Sequence, residues 1–264
     1  MLALCLFALA AASFPGEADR VTSLPGVNET LPFGVFSGYL DINATTGKRF
    51  HYYFVESQTS PSSDPLVRWL SGGPGCSSVG GGGFEETGPL LPDANGNLQL
   101  NPFAWNRNAN MVYIDSPTGV GWSYSKTKSD YTNGDASTAA DNYVAIAKFL
   151  EKFPQFENRD FYLTGESYVC HMSCFMTDLC FFPPKSVLFL LFNCSLPFRL
   201  GKKRGKPFSP VSFFETHRSP ARHYIPTLTS LLLDKPLPLK FKGFAVGNPT
   251  THIIDDFFYG RSLW

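Results

Sequence analysis

The run RDFYLTGESYV, residues 159–169, decides how this chain is read. Its first half is a strand, which meets a glycine turn at Gly165 and delivers Ser167. A tight turn between a strand and a following helix exposes a hydroxyl at the carboxyl edge of a sheet. The first amides of that helix then point at any negative charge developing there. Ser167 is therefore the candidate nucleophile. The fifth position of the Gly-x-Ser-x-Gly pattern is Val169 instead of glycine, so the motif needs support from the rest of the chain.

That support begins with element order. FSGYLDI (36–42) and RFHYYFVES (49–57) read as two strands joined by a turn containing TTGK, a hairpin. After a Ser/Pro linker, LVRWLSGGPGCSS (66–78) is a short buried strand running into glycines, and NMVYIDSP (110–117) is another strand. ASTAADNYVAIAKFLEKFP (136–154) places Ala140, Tyr143, Val144, Ile146, Ala147, Phe149 and Leu150 at mostly helical spacing, with Pro154 past its end. Downstream, HYIPTLTSLLLDK (223–235) reads as a helix with Pro226 in its first turn, and LKFKGFAVGNP (239–249) as a strand. Strands alternating with helices in this order predict an α/β fold with a mostly parallel central sheet and an N-terminal hairpin.

Composition sets the outer bounds. The 264 residues are 43% hydrophobic and 15% aromatic, enough for a substantial core. Lys+Arg and Asp+Glu each count 22, which gives no reason to expect a nucleic-acid partner. The opening MLALCLFALAAASFPGE has an apolar run followed by Ala8-Leu9-Ala10 and Ala10-Ala11-Ala12, either of which suits signal peptidase; residues 1–17 read as a signal peptide. The run is too short for a stable membrane span, so the secretory pathway is expected, ending outside the cell or in a vacuole or lysosome. Asn28 (NET) and Asn43 (NAT) are N-glycosylation acceptors in keeping with that route, whereas NPT at Asn248 is excluded by its proline. Cys170, Cys174, Cys180 and Cys194 cluster without paired C-x-x-C spacing, so no metal site is expected.

WLSGGPGCSS (69–78), GGGFEETGPL (81–90), NPFAWNRNANMVYIDSPTGVGWSYS (101–125) and FYLTGESY (161–168), with the later HYIPTL and GFAVGNP, closely resemble the serine carboxypeptidase family, which has the α/β-hydrolase fold. The resemblance covers about residues 20–168 and 223–250. It implies removal of C-terminal residues from peptides or proteins through a serine acyl-enzyme, with no cofactor. Ser167 would attack the last peptide carbonyl, with the backbone amides of Gly73 and Tyr168 as the oxyanion hole. Ser71, Glu86 and Glu166 would bind the substrate's terminal carboxylate; the first of these is usually asparagine in the family, and Glu85 could exchange with Glu86 if the loop register differs. Two acids can hold a carboxylate because mutual repulsion and burial keep them protonated in acid, when they donate hydrogen bonds.

The same resemblance exposes two departures. The family's acid and base follow the serine, in the order Ser, Asp, His, much further along than this chain runs. Asp234 and His252 occur in that order, but only 18 residues separate them, and His171, His217 and His223 do not fall at the base position. Residues 169–222 match nothing: GESY is followed by about fifty foreign residues before ARHYIPTL resumes. Their apolar SVLFLLF and basic GKKRGK stretches show no sustained period. Val codons begin with GT and an Arg codon can begin with AG, so translation through an intron would produce the break, with a genuine insertion as the alternative. The expected organisation is a signal peptide (1–17), the N-terminal part of the domain (18–168), an unmatched insert, disordered or intron-derived (169–222), and a truncated continuation (223–264). With a strand missing, an unpaired sheet edge is expected. Three functional readings follow: a serine-type carboxypeptidase by family, inactive as this chain; a non-catalytic peptide- or protein-binding homologue or fragment; and an acyltransferase of the same fold.

Overall fold

A computed structural model describes residues 14–27, 30–167, 188–192 and 224–247. The hairpin forms as β1 (Val35–Asn43) and β2 (Lys48–Val55), antiparallel, with Tyr39 opposite His51. β3 (Leu66–Leu70) follows, then a wide helical turn over Ser78–Glu86 and a small hairpin of β4 (Leu90–Pro92) and β5 (Leu98–Leu100). β6 (Asn110–Ile114), helix α1 (Asp135–Lys152), β7 (Asp160–Glu166), β8 (Leu188–Phe192), helix α2 (Tyr224–Asp234) and β9 (Lys240–Gly247) complete the described chain.

Seven strands form one sheet in the order β1-β2-β6-β3-β7-β9-β8. β2 runs antiparallel to both β1 and β6, while β6, β3, β7, β9 and β8 are mutually parallel. The expected mostly parallel sheet with an N-terminal hairpin is therefore present. Its carboxyl edge carries Ser71 after β3, Asp115 after β6 and Ser167 after β7. Loops at that edge of a parallel sheet are where such folds build sites.

Strand alternation sorts the core into two faces. Phe36 and Leu40 of β1 and Phe50, Tyr52 and Phe54 of β2 pack on one face with Phe149 of α1 and Phe153 just past its end. Val35, Tyr53, Val55, Val67, Trp69 and Tyr113 occupy the other, beneath the Ser78–Glu86 turn. That turn lies directly on the sheet because it is glycine-rich: a Cβ on Gly82 would sit 2.3 Å from Trp69 Cδ1.

α1 forms where its periodicity predicts, but its buried stripe runs through Thr138, Ala139, Asn142, Ala145, Ile146, Phe149 and Leu150, and Ala140 is exposed. The polar Asn142 sits in that stripe because it serves a buried arginine. Arg68, inside β3, is fully buried; one of its nitrogens donates to Asn142 Oδ1, and its Nε and Nη1 have no hydrogen-bond partner. Burial pushes its guanidinium down to about 9.

Three further features differ from the sequence expectations or add to them. Five residues of the unmatched 169–222 segment form β8, which pairs with β9 from Leu188↔Gly243 to Phe192↔Gly247. The edge of β9 that the sequence leaves open is thus occupied, and β8 becomes the sheet's margin. At the other end, the packed domain reaches back to Phe14, inside the expected leader. The Phe14 ring lies 5.9 Å from Phe36 and 5.5 Å from Phe153, and Tyr52 donates to Asp19 Oδ2 at 2.6 Å. Finally, among the described residues no helix is long and apolar enough to cross a membrane.

Candidate functional site

Ser167 follows β7 immediately and has φ +63°, in the left-handed region that non-glycine residues seldom enter. A side chain is held there only when the surroundings over-determine it, and the effect is to lift the hydroxyl off the end of the strand. Ser167 is half-buried. The neighbouring strand ends are fixed to it by the ladder, since Leu70 of β3 pairs with Gly165 and Gly247 of β9 pairs with Glu166.

On the β3 side the chain leaves through Ser71, Gly72 and Gly73. Gly73 has φ +107°, and a Cβ there would lie 2.8 Å from Gly75 N and 2.9 Å from Cys76 N, so only glycine fits this turn. Ser71 is buried and doubly held: its amide donates to Ser78 Oγ at 3.0 Å, and its hydroxyl accepts from Trp69 Nε1 at 3.1 Å. Cys76, in the same loop, is exposed.

The Ser78–Glu86 turn brings the third component. Thr87 N–H donates to Gly82 O at 2.9 Å, and Asn101 Nδ2 donates to Gly88 O at 2.9 Å and to Glu86 O at 3.3 Å. These bonds place the Glu86 side chain over Gly81: a Cβ on Gly81 would lie 3.7 Å from Glu86 Oε1 and 3.9 Å from Ser71 Oγ. Burial pushes the Glu86 carboxyl above its ordinary value, and the charges of Glu166 and Glu85 push it further the same way. The structure thus brings Ser71, Glu86 and Glu166 into one electrostatic neighbourhood beside Ser167. A carboxyl that holds its proton more tightly than usual can donate a hydrogen bond to an anion.

Of the other sequence candidates, Tyr168 and Asn28 lie outside the described residues, as do His171, His217, His223 and His252. Asn43 is exposed at the end of β1, with its Oδ1 accepting from Thr45 N at 3.0 Å. Among the described residues no group of His, Cys, Asp and Glu is arranged to hold a metal ion. A cleft of about 480 Å³ is lined by Ser37, Tyr39, His51, Tyr53 and Trp122 among others, with Val79 and Phe84 of the Ser78–Glu86 turn. None of Ser71, Gly73, Glu86, Glu166 or Ser167 lines it. No motif reading of the sequence singled out His51. Its neighbours are visible only through strand register.

The sequence profile of the serine carboxypeptidase family matches residues 25–179, more than half of the chain. Serine carboxypeptidase-like 44 of Arabidopsis thaliana is 54% identical over 163 residues, covering 61% of this chain and 33% of that protein. Serine carboxypeptidase-like 26 of the same plant is 38% identical over 246 residues, covering 91% of this chain and 42% of the relative. Among solved structures, Kex1Δp, a prohormone-processing carboxypeptidase from Saccharomyces cerevisiae, superposes with a TM-score of 0.52 at 24% identity, over 58% of this chain and 36% of the other. That likeness shows the fold, the α/β-hydrolase architecture expected from the motifs. The chain spans between a third and a half of the length of these relatives.

Proposed function

This chain belongs to the serine carboxypeptidase family, and on that premise we propose that it carries the nucleophile and the carboxylate-binding half of a serine-type carboxypeptidase site without the proton relay. The observation that carries the reading is the left-handed Ser167 at the carboxyl end of β7, next to a carboxylate whose charge reaches Glu86. Ser167 Oγ is the atom that attacks the last peptide carbonyl. The amides of Gly73 and Tyr168 stabilise the oxyanion that forms. Ser71, Glu86 and Glu166 hold the terminal carboxylate of a peptide or protein substrate, most firmly in acid, when the raised Glu86 carboxyl donates. Neither metal nor cofactor is required for such acyl-enzyme chemistry.

Attack also requires a base within hydrogen-bond reach of Ser167. His51 is the one histidine among the described residues, and it sits on β2, three strand positions from β7 in the sheet. That is about 14 Å at the ordinary strand spacing, so His51 cannot serve Ser167. With no base for Ser167 among the described residues, and with His171, His217, His223 and His252 off the family's base position, the reading is of a binder of peptide C-termini that does not turn over. The same reading sends the protein through the secretory pathway, with Asn28 and Asn43 glycosylated; exposure of Asn43 at the hairpin turn supports this.

Fluorophosphonate labelling with the adduct sites mapped by peptide mass spectrometry tests the proposal. Ser167 stays unlabelled in this chain and becomes labelled in a chimera that adds the C-terminal region of a relative. Labelling of Ser167 in the present chain would overturn the reading.

A further inference from the structure

The cleft that Ser167 does not line contains a second serine whose surroundings are those of a nucleophile. Ser37 on β1 and His51 on β2 face the same side of the hairpin, and Ser37 Oγ lies 3.0 Å from His51 Nε2. On the far side of the ring, His51 Nδ1 lies 3.8 Å from Asp115 Oδ2, beyond hydrogen-bond length but close enough for strong electrostatic attraction. The Asp115 side chain is fully buried, and His51 retains only 12% side-chain exposure.

Asp115 stays ionised in that position. Burial opposes the charge, but the interaction with His51 and hydrogen bonds from the Ser77 hydroxyl at 2.6 Å, Val79 N–H at 3.1 Å and Trp122 N–H at 3.1 Å outweigh it, leaving the carboxyl below its usual range. A buried anion beside Nδ1 favours the tautomer with its proton there, which leaves Nε2 as the acceptor for the Ser37 hydroxyl. The imidazole also packs against two rings, Tyr39 and Trp122, each with its centroid 5.3 Å away.

We propose that Ser37, His51 and Asp115 form a second nucleophilic site, which accepts the acyl group of neutral carboxylic esters with an aryl leaving group. The cleft of about 480 Å³ is of ligand size, its walls include Tyr39, Tyr53, Phe84 and Trp122, and among the described residues no lysine or arginine lines it. Those walls select an apolar aromatic ester over an anionic peptide terminus. In the reaction Ser37 Oγ bonds to the ester carbonyl carbon while its proton passes to His51 Nε2. The bond from that carbon to the aryloxy oxygen breaks, and the aryloxide takes the proton from His51 and leaves as the phenol. Water then hydrolyses the acyl-Ser37 ester, its proton moving through the same nitrogen. A positioned base of this kind accelerates the transfer by roughly 10²- to 10⁴-fold.

The test is acylation by p-nitrophenyl butyrate, followed by nitrophenol release and by mapping of the butyryl group. The unmutated 264-residue chain should carry the adduct on Ser37, and the adduct should persist in Ser167→Ala, which removes the other candidate nucleophile. Ser37→Ala should lose it, and His51→Gln should slow its formation by about 100-fold or more, each variant being checked for an unchanged unfolding transition. Because mapping on the unmutated chain needs no variant, a misfolded mutant does not protect the proposal. Absence of butyryl from Ser37, or a rate at Ser37 indifferent to His51→Gln, overturns it. The outcome is independent of Ser167, whose own reading fails or stands on the fluorophosphonate result.

Discussion

Ser167 and Ser37 belong to the same seven-stranded sheet, one just past β7 and the other within β1, and their surroundings differ in kind. Ser167 is presented by the main chain: a strained turn, a glycine loop at Gly73 that no other residue fits, and strand ends locked in register. No base faces it among the described residues. Ser37 lies in an ordinary extended strand, but side chains from β2 and from the end of β6 supply it with an imidazole and a buried carboxylate. Presentation of a nucleophile is a local property of consecutive residues, whereas a proton relay is assembled from residues far apart in sequence. One can be present without the other.

Asp115 is where the two regions meet, so its loss should have the largest effect. It faces His51 on one side and, on the other, holds Ser77 and Val79 at the start of the turn that carries Glu86. Asp115→Ala leaves three donors without their acceptor, the Val79 amide among them buried, and should lower the unfolding free energy by about 3–5 kcal/mol, read by urea titration. The pH sign follows from its lowered carboxyl. The stability it contributes is present above the ordinary aspartate value of 3.8 and disappears as pH falls through the lower folded value. The variant should therefore lack this part of the acid-unfolding limb.

Arg68 gives the opposite sign in the core between the two regions. With two unpartnered nitrogens in a fully buried side chain, its charge is under-compensated. Arg68→Met should stabilise the chain by about 1–3 kcal/mol in the same titration. A smaller effect belongs to Glu86. Binding of an N-blocked dipeptide, followed calorimetrically, should tighten as pH falls through the raised Glu86 value. Glu86→Gln should flatten that dependence, a change of about tenfold or less, or roughly 1 kcal/mol. Asn43→Gln is the smallest: within about 0.5 kcal/mol in stability, with loss of one glycan's mass on secretion from a eukaryotic host.

The contrast between the serines also explains what the sequence could and could not say. The hairpin, β3, β6, α1, β7, α2 and β9 follow from periodicity and from glycine and proline punctuation, each within a few residues of its observed bounds. Ser71, Gly73, Glu86, Glu166 and Ser167 sit in contiguous motifs, so family resemblance could nominate them all. The β4–β5 hairpin carries only a short signal, the DANGN turn at 93–97, where Asp93 Oδ1 accepts from the Asn95 and Asn97 amides between strands of three residues each. His51 was invisible because in RFHYYFVES it is one more strand residue. Its meaning comes from the 39↔51 register and from Asp115, 64 positions away. Asn142 was hidden for a similar reason, since only the partner Arg68 explains a polar residue on the buried face of α1.

The most direct measurement is release of the C-terminal residue from an N-blocked dipeptide in mild acid by the 264-residue chain, run beside the same peptide amidated at its C-terminus and beside Ser167→Ala. With the candidate nucleophile presented and no base facing it among the described residues, loss of relay function removes about six orders of magnitude from the rate. No release dependent on Ser167 should be seen from either peptide. Release from the free-carboxylate peptide that Ser167→Ala abolishes would show that Ser167 has its base after all, and would contradict the account.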